Sequence, residues 1–507
     1  MPGSTLVRLS LAALPALLLM SACTSPRLGF DDLGLYGSDT RAEPTPGILH
    51  YADESDDSII VFSIHGMGKT PACYSETIAR MLAGEKGTET PASKTGEDSR
   101  QHDIACLASG RTMPVCLNDT VRVDSEGFHD RSSTRPIGKE CANGGKAFSL
   151  DALVAEKAEA EQPVARSFDR FGTLTYREIE TGVVGRSTPL KIRYYAYWWH
   201  GDANELQAPF VHHDLSGPYE RERAPLNRTI KRVVLNEGLT DAALYAGTFG
   251  MIVREGTRNA LCLMIRHLNG EVPATAQAAP CRGIQDQIDD AIVGRRIVLL
   301  SKSLGSRMLF DALSDDETGE GPLALLAHTP ENFAGQIGQC IARTGPLIYM
   351  SANQLPLIAI AGLKIDRSGN AGDGPQGFDF LDEITRSPAQ TDKAEERLRK
   401  TQPRCVTEDR REESRIVAFY DPNDSLGYRA GDHLSKTQKE RIFEVTQRYA
   451  GTFLGLAALP DQAHDQSFRK ANGRRIVMCG AEVVGARGLK AKPECRLGGE
   501  ILRPTRM

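Results

Sequence analysis

One serine, two neighbouring aspartates and several histidines in this chain have surroundings that suit nucleophilic catalysis. Ser303 lies in Ser301-Lys302-Ser303-Leu304-Gly305, after the apolar run Arg296-Ile297-Val298-Leu299-Leu300 and before a helical pattern reaching about Leu313. A serine hydroxyl attacks poorly until an imidazole takes its proton and a carboxylate holds that imidazole in place. A strand–turn–helix segment presents such a hydroxyl on a tight turn, and small flanking residues let the helix pack close to the strand. A second S-x-G triplet, Ser425-Leu426-Gly427, leads into Tyr-Arg-Ala-Gly-Asp and no helical pattern, so only Ser303 has this context. The plain structural reading of Ser303 is a helix N-cap. For the acid, R-I-V-A-F-Y-D-P-N-D-S-L puts Asp421 at a strand's edge and Asp424 just past a turn rich in Asp, Pro and Asn. Asp424 is the favoured acid, and Asp421 the rival that would cap the turn. For the base, His65, His328, His433 and His464 are the histidines to weigh.

The elements that must position these groups alternate in type. Ile59-Ile60-Val61-Phe62-Ser63-Ile64, ending at His65-Gly66, is a buried-strand signal. Further strands are expected at Ile192–Trp199, 296–300, 346–350, 415–420 and Arg475–Cys479, with helix over about Leu239–Leu268. Strands alternating with helices predict an α/β architecture, a mostly parallel sheet flanked by helices. Residues 84–147 are rich in Gly, Ser, Thr and charge and read as an irregular insertion pinned by disulfides. Insertions are placed at about 84–190 and 366–413 within a domain of 47–507. Those preceding the elbow would form a lid or wall.

Taken together, the order Ser303, Asp424, His464 resembles that of the α/β-hydrolase superfamily, over about residues 48 to 480. The stretches S-L-G-S-R-M-L-F-D-A-L, M-S-A-N-Q-L-P and A-H…M-C-G are similar to those of a branch of bacterial esterase/lipase-like proteins. The resemblance implies the hydrolase fold, Ser303 as nucleophile, Asp424 as acid and His464, in P-D-Q-A-H-D-Q-S-F, as base. His433 stands too near Asp424 in sequence, and His328 precedes the acid. The resemblance also implies an oxyanion hole from the backbone N–H groups of Leu304 and of Met67 in I-H-G-M-G, with His65 structural. Ser301 stands where the family has its first elbow glycine. The implied substrate is a carboxylic ester, a small molecule or a lipid, cleaved without cofactor or metal. Leu355, Pro356, Leu357 and Ile358 would line an acyl site or belong to the core.

The N-terminus bears on location. Arg8 precedes an apolar run from Leu9 to Met20. That is shorter than the roughly 20 residues a spanning helix needs, and matches a secretory signal over 1–22. Met20-Ser21-Ala22-Cys23 resembles the lipobox of bacterial lipoproteins, which implies a lipidated Cys23, a tether over 23–46 and membrane attachment. Thr24 after the cysteine implies, by the same analogy, outer-membrane anchoring of an exported protein. Of the 11 cysteines, the ten besides Cys23 lack C-x-x-C spacing and suit disulfides in an oxidising compartment.

Other classes fit less well. A net charge of −5 gives no basic footprint for nucleic acid. Ser63-Ile64-His65-Gly66-Met67-Gly68-Lys69-Thr70 approximates a phosphate-binding loop but lacks its first glycine, which leaves a nucleotide hydrolase as the lesser alternative. His212-His213-Asp214 lacks a suitably spaced third ligand and reads as solvated loop. The main alternative is a hydrolase-like lipoprotein without activity, serving as an envelope scaffold or binding module.

Overall fold

The computed structural model describes chiefly residues 45–52, 58–68, 70–84, 106–107, 110–124, 127–131, 166–182, 189–201, 239–247, 249–271, 291–292, 295–314, 333–354, 413–421, 441–446, 471–484 and 488–491. Shorter pieces and single positions elsewhere include Asp424, Gly427, Tyr428 and His464. In chain order the first half contains β1 (Gly34–Leu35), β2 (Thr45–Pro46), α1 (Ile48–Tyr51), β3 (Ser58–Ile64), α2 (Tyr74–Leu82), β4 (Arg111–Asp124), β5 (Gly127–Arg131), β6 (Arg166–Thr181) and β7 (Leu190–Trp198). Then come α3 (Thr240–Ala246), α4 (Gly250–Leu268), β8 (Arg296–Lys302), α5 (Leu304–Leu313), α6 (Phe333–Arg343), β9 (Leu347–Ser351), β10 (Arg415–Tyr420), β11 (Ile442–Thr446), α7 (Ala471–Cys479), β12 (Gly480–Val484) and β13 (Gly488–Ala491).

The main sheet has ten strands in the order β1-β11-β10-β9-β8-β3-β7-β6-β4-β5. From β11 through β7 every neighbouring pair is parallel, while β1, β6, β4 and β5 join antiparallel. Central parallel strands are covered on both faces, so they carry unbroken apolar runs. In β3, Ile60, Phe62 and Ile64 enter one core cluster and Ile59 and Val61 the other. Helices α4, α5 and α6 supply the first face, and α1, α2 and α7 the second. The result is an α/β protein with a mostly parallel central sheet between helices.

From β3 the chain passes to β4 and β5 at one edge and returns through β6 to β7 beside β3; later it runs outward from β8 to β11 on the other side. In open parallel sheets, the crevice beyond the carboxyl ends of the strands where the order reverses is the ordinary ligand position. Here that point is flanked by the ends of β3 and β8, which release His65-Gly66-Met67 and Ser303.

Several expectations change. Arg475–Cys479 is not a strand but the last part of α7, with β12 following. A short apolar run reads equally as strand or buried helix. Ile476, Val477, Met478 and Cys479 are all buried in the second core cluster. The region expected as an irregular insertion, 84–147, instead contributes β4 and β5 to the main sheet, and the wider insertion to 190 adds β6. The stretch expected as a free tether contains β1, paired with β11, and β2, paired with β12. The single helix expected over 239–268 is divided at Gly247, between α3 and α4. Cys23, Leu355 to Ile358, His212, His213, Asp214, His328 and His433 lie outside the described residues, as does most of 366–413.

Cys73 and Cys106 form a disulfide joining the start of α2 to the segment before β4. Cys116, Cys262, Cys340 and Cys479 are disulfide-bonded as well. Among the described residues no helix is long and apolar enough to cross a membrane.

Candidate active site

Ser303 occupies the single residue between β8 and α5, with φ 52° and ψ −129°. A non-glycine residue there costs about 1–3 kcal/mol and persists only where its surroundings over-determine it. Those surroundings are specific. The Ser303 N–H donates to the Ser351 carbonyl at 2.7 Å, and the Ser303 carbonyl accepts from Ser306 N–H at 3.0 Å. A Cβ on Gly66 would overlap Cβ of Ser303, and one on Gly305 would overlap the His65 carbonyl. Both glycines are therefore required by close approach between the two loops.

Ser301, the departure from the usual elbow, is fully buried. Its hydroxyl lies 3.0 Å from Oγ of Ser306 and donates to the Tyr349 carbonyl at 3.3 Å. The added oxygen is thus accommodated by hydrogen bonds rather than by displacing α5.

His464 and Asp424 come from far along the chain. His464 Nε2 lies 2.7 Å from Ser303 Oγ, and its Nδ1 lies 2.8 Å from Oδ2 and 3.0 Å from Oδ1 of Asp424. An ionised carboxylate can only accept, so Nδ1 carries the proton and Nε2 presents its lone pair to the serine hydroxyl. All three side chains are buried. Asp424 sits in a turn, its N–H donating to the Asp421 carbonyl at 2.9 Å. Asp421 thus supports Asp424 through its backbone. A Cβ on Gly427 would overlap Oδ2 of Asp424, so the glycine of the second S-x-G triplet lets the chain close around that carboxylate.

His65 is held away from this relay. Its Nδ1 lies 2.7 Å from the Gly66 carbonyl, and Nε2 accepts the Trp199 N–H at 3.1 Å. Trp199 stacks on it with ring centroids 5.0 Å apart and planes 5° from parallel. The Trp199 indole N–H donates to the His65 carbonyl at 3.2 Å. Burial holds its pKa well below the usual histidine range, with the neighbouring His200 and Lys302 acting the same way. His65 is a neutral strut that fixes the loop after β3. The next turn is pinned by Asp241, in the first turn of α3, whose Oδ2 accepts Gly68 N–H at 2.7 Å. Gly68 has φ 84°, a conformation glycine adopts without penalty.

The geometry brings Ser303, Asp424 and His464 into one hydrogen-bonded line. It places Met67 next to Gly66, which abuts Ser303, and Leu304 as the first residue of α5. The first N–H groups of a helix have no intrahelical partner and favour negative charge. Asp241, Gly427 and the Ser351 carbonyl are supports that sequence reasoning missed. An acid opening a helix was the one available signal, at Asp241. Among the described residues no group of three or more His, Cys, Asp or Glu side chains could hold a metal. In comparisons with protein-family models, curated proteins and solved structures, nothing matches this chain.

Proposed function

We propose that this chain is a serine hydrolase of the α/β-hydrolase type that cleaves carboxylic esters through an acyl-enzyme. The observation that carries the reading is the unbroken Ser303–His464–Asp424 relay built on a strained serine turn. In this mechanism Ser303 Oγ attacks the ester carbonyl while His464 Nε2 takes its proton. The N–H groups of Leu304 and Met67 receive the oxyanion. Collapse breaks the bond to the alcohol, which leaves with the proton from His464. Water, deprotonated by His464, then attacks the acyl carbonyl, and the acid departs as Ser303 regains its proton. Asp424 holds the imidazole tautomer throughout. Ser303 is fully buried, so substrate reaches it only as the groups covering it move aside.

A scaffold would have no need to keep a serine in this conformation against a paired imidazole. A nucleotide hydrolase fits the loop after β3 poorly, because Gly68 N–H is bonded to the Asp241 carboxylate, which repels a phosphate. The disulfide Cys73–Cys106 supports export into an oxidising compartment, with Cys23 as the proposed lipid anchor.

The decisive experiment is labelling of purified protein with a fluorophosphonate probe. The wild type is expected to label, and folded Ser303→Ala and His464→Ala are not. Absence of wild-type labelling, or labelling that survives Ser303→Ala, overturns the reading.

A further inference from the structure

Gln354 is fully buried, yet neither its Oε1 nor its Nε2 has a hydrogen-bond partner. Native interiors almost always satisfy such groups, and a specific exception calls for a physical explanation. The three preceding residues leave no slack to which this one could be attributed. The Ser351 carbonyl accepts the nucleophile's own N–H at 2.7 Å, and Ala352, at φ 51°, donates its N–H to Phe419 at 3.1 Å. The Asn353 carbonyl accepts Tyr428 N–H at 2.8 Å, and its side-chain amide donates to the Tyr428 carbonyl at 3.4 Å. Tyr428 adjoins Gly427, which packs on the Asp424 carboxylate.

The segment is therefore fastened to the nucleophile turn on one side and to the acid loop on the other. Even fully extended, three residues span only about 10 Å, so Gln354 sits in the neighbourhood of Ser303. An ordered backbone carrying a buried, unbonded carboxamide near the Ser303 turn has the character of a preorganised binding group. A carboxamide offers one acceptor and two donors, which complements a hydroxyl or an amide and gains nothing from a hydrocarbon chain.

We propose, resting on the serine-hydrolase reading, that Gln354 is a specificity-determining residue, its side chain binding a hydroxyl or amide group carried close to the scissile ester. The substrate class narrows accordingly to hydroxyacyl, amidoacyl or polyol esters, and away from simple alkyl esters. A site built to bond a substrate hydroxyl discriminates strongly against the analogue lacking it, because its buried polar groups are then left unpaired.

The test uses the full mature protein, wild type and Gln354→Met, which keeps volume and removes the amide. Two matched pairs probe the two sides of the ester: p-nitrophenyl β-hydroxybutyrate against p-nitrophenyl butyrate, and glyceryl butyrate against propyl butyrate. Fluorophosphonate labelling and Tm are read on the same preparations. The wild type is expected to prefer the hydroxylated member of at least one pair by about 100-fold in kcat/KM. Gln354→Met is expected to bring that ratio near unity while keeping labelling and an unchanged or raised Tm. Labelling in both proteins with no wild-type preference, or with a preference the variant retains, overturns the inference and leaves the hydrolase reading intact. A marked fall in Tm also overturns it, since the amide would then have been a structural group. Failure of the wild type to label overturns both.

Discussion

Gly66 and Ser303 come from loops at the ends of neighbouring strands, and the fit between them leaves no volume for a methyl group. A Cβ on Gly66 would overlap Cβ of Ser303, lie 2.7 Å from the Lys302 carbonyl and lie 3.0 Å from Ser303 Oγ. Backbone bounds this position on the Lys302 side, so the strain must be relieved by moving the loop or Ser303. Gly66→Ala is expected to fold with a loss of about 1–3 kcal/mol, typical of overpacking. Its fluorophosphonate labelling should slow by about 100-fold, because displacements of about 1 Å are costly at a reacting centre. Labelling at the wild-type rate in a folded Gly66→Ala protein would show that this contact does not set the nucleophile's position.

The proposed acid gives a sharper contrast. Asp424 meets His464 through both carboxylate oxygens, whereas Asp421 supports the turn with its backbone carbonyl. Asp424→Asn keeps the shape but replaces an acceptor with an amide, which favours the wrong imidazole tautomer. The expected loss in kcat is about 10⁴-fold. Asp421→Asn retains that backbone carbonyl and is expected to stay within about tenfold of wild type. Steady-state hydrolysis of a p-nitrophenyl ester by the two variants decides the matter; equal losses would contradict the assignment.

The serine turn and the strand before Asp421 were legible in sequence because their local signals were strong. An apolar strand, a small-residue turn and a helix frame Ser303, and a β-branched run ends at Asp421. What lay beyond reading was long-range or lacked its own periodicity. Residues Arg166–Thr181 mix charge and aromatics because β6 lies outside the parallel centre, so no clean apolar run marks it. Arg475–Cys479 looked like a strand because four consecutive buried residues erase helical periodicity. The roles of Gly427 and Gly66 depend on contacts across the fold, and no spacing in the chain encodes those. Nothing local marks His464; its place in chain order is the one pointer the sequence offers, and its 2.7 Å approach to Ser303 belongs to the fold.

Ser301 tests whether the departure from the usual elbow matters. Its hydroxyl bonds only within the support of the turn, to Ser306 and the Tyr349 carbonyl. Ser301→Gly removes these contacts and adds backbone freedom to the unfolded chain, so a stability loss of about 1–2 kcal/mol is expected. Because the hydroxyl does not touch the His464–Asp424 pair, kcat should change by less than about threefold. Urea unfolding and ester hydrolysis measure the two effects separately. A rate that rose or fell by orders of magnitude would mean that Ser301 takes part in positioning the nucleophile.

His65 couples the loop after β3 to acid stability. Its folded pKa lies well below the ordinary 6.5, chiefly through burial. The unfolded chain therefore gains a proton at His65 as pH falls through that value, while the folded protein does not. Stability is full above the unfolded pKa and declines below it, by up to about 1.4 kcal/mol per pH unit. His267, half-buried and also shifted downward, adds a contribution of the same sign. The informative quantity is thus the difference between wild type and His65→Gln. The glutamine amide can still donate to the Gly66 carbonyl and accept the Trp199 N–H, but it does not titrate. Urea unfolding at about pH 7.5 and about pH 5.5 should show a steeper acid loss for wild type than for His65→Gln. At neutral pH the variant should be the less stable, having lost the stack on Trp199. Equal acid slopes would mean that His65 takes up its proton in the folded state and is not the neutral strut its hydrogen bonds describe.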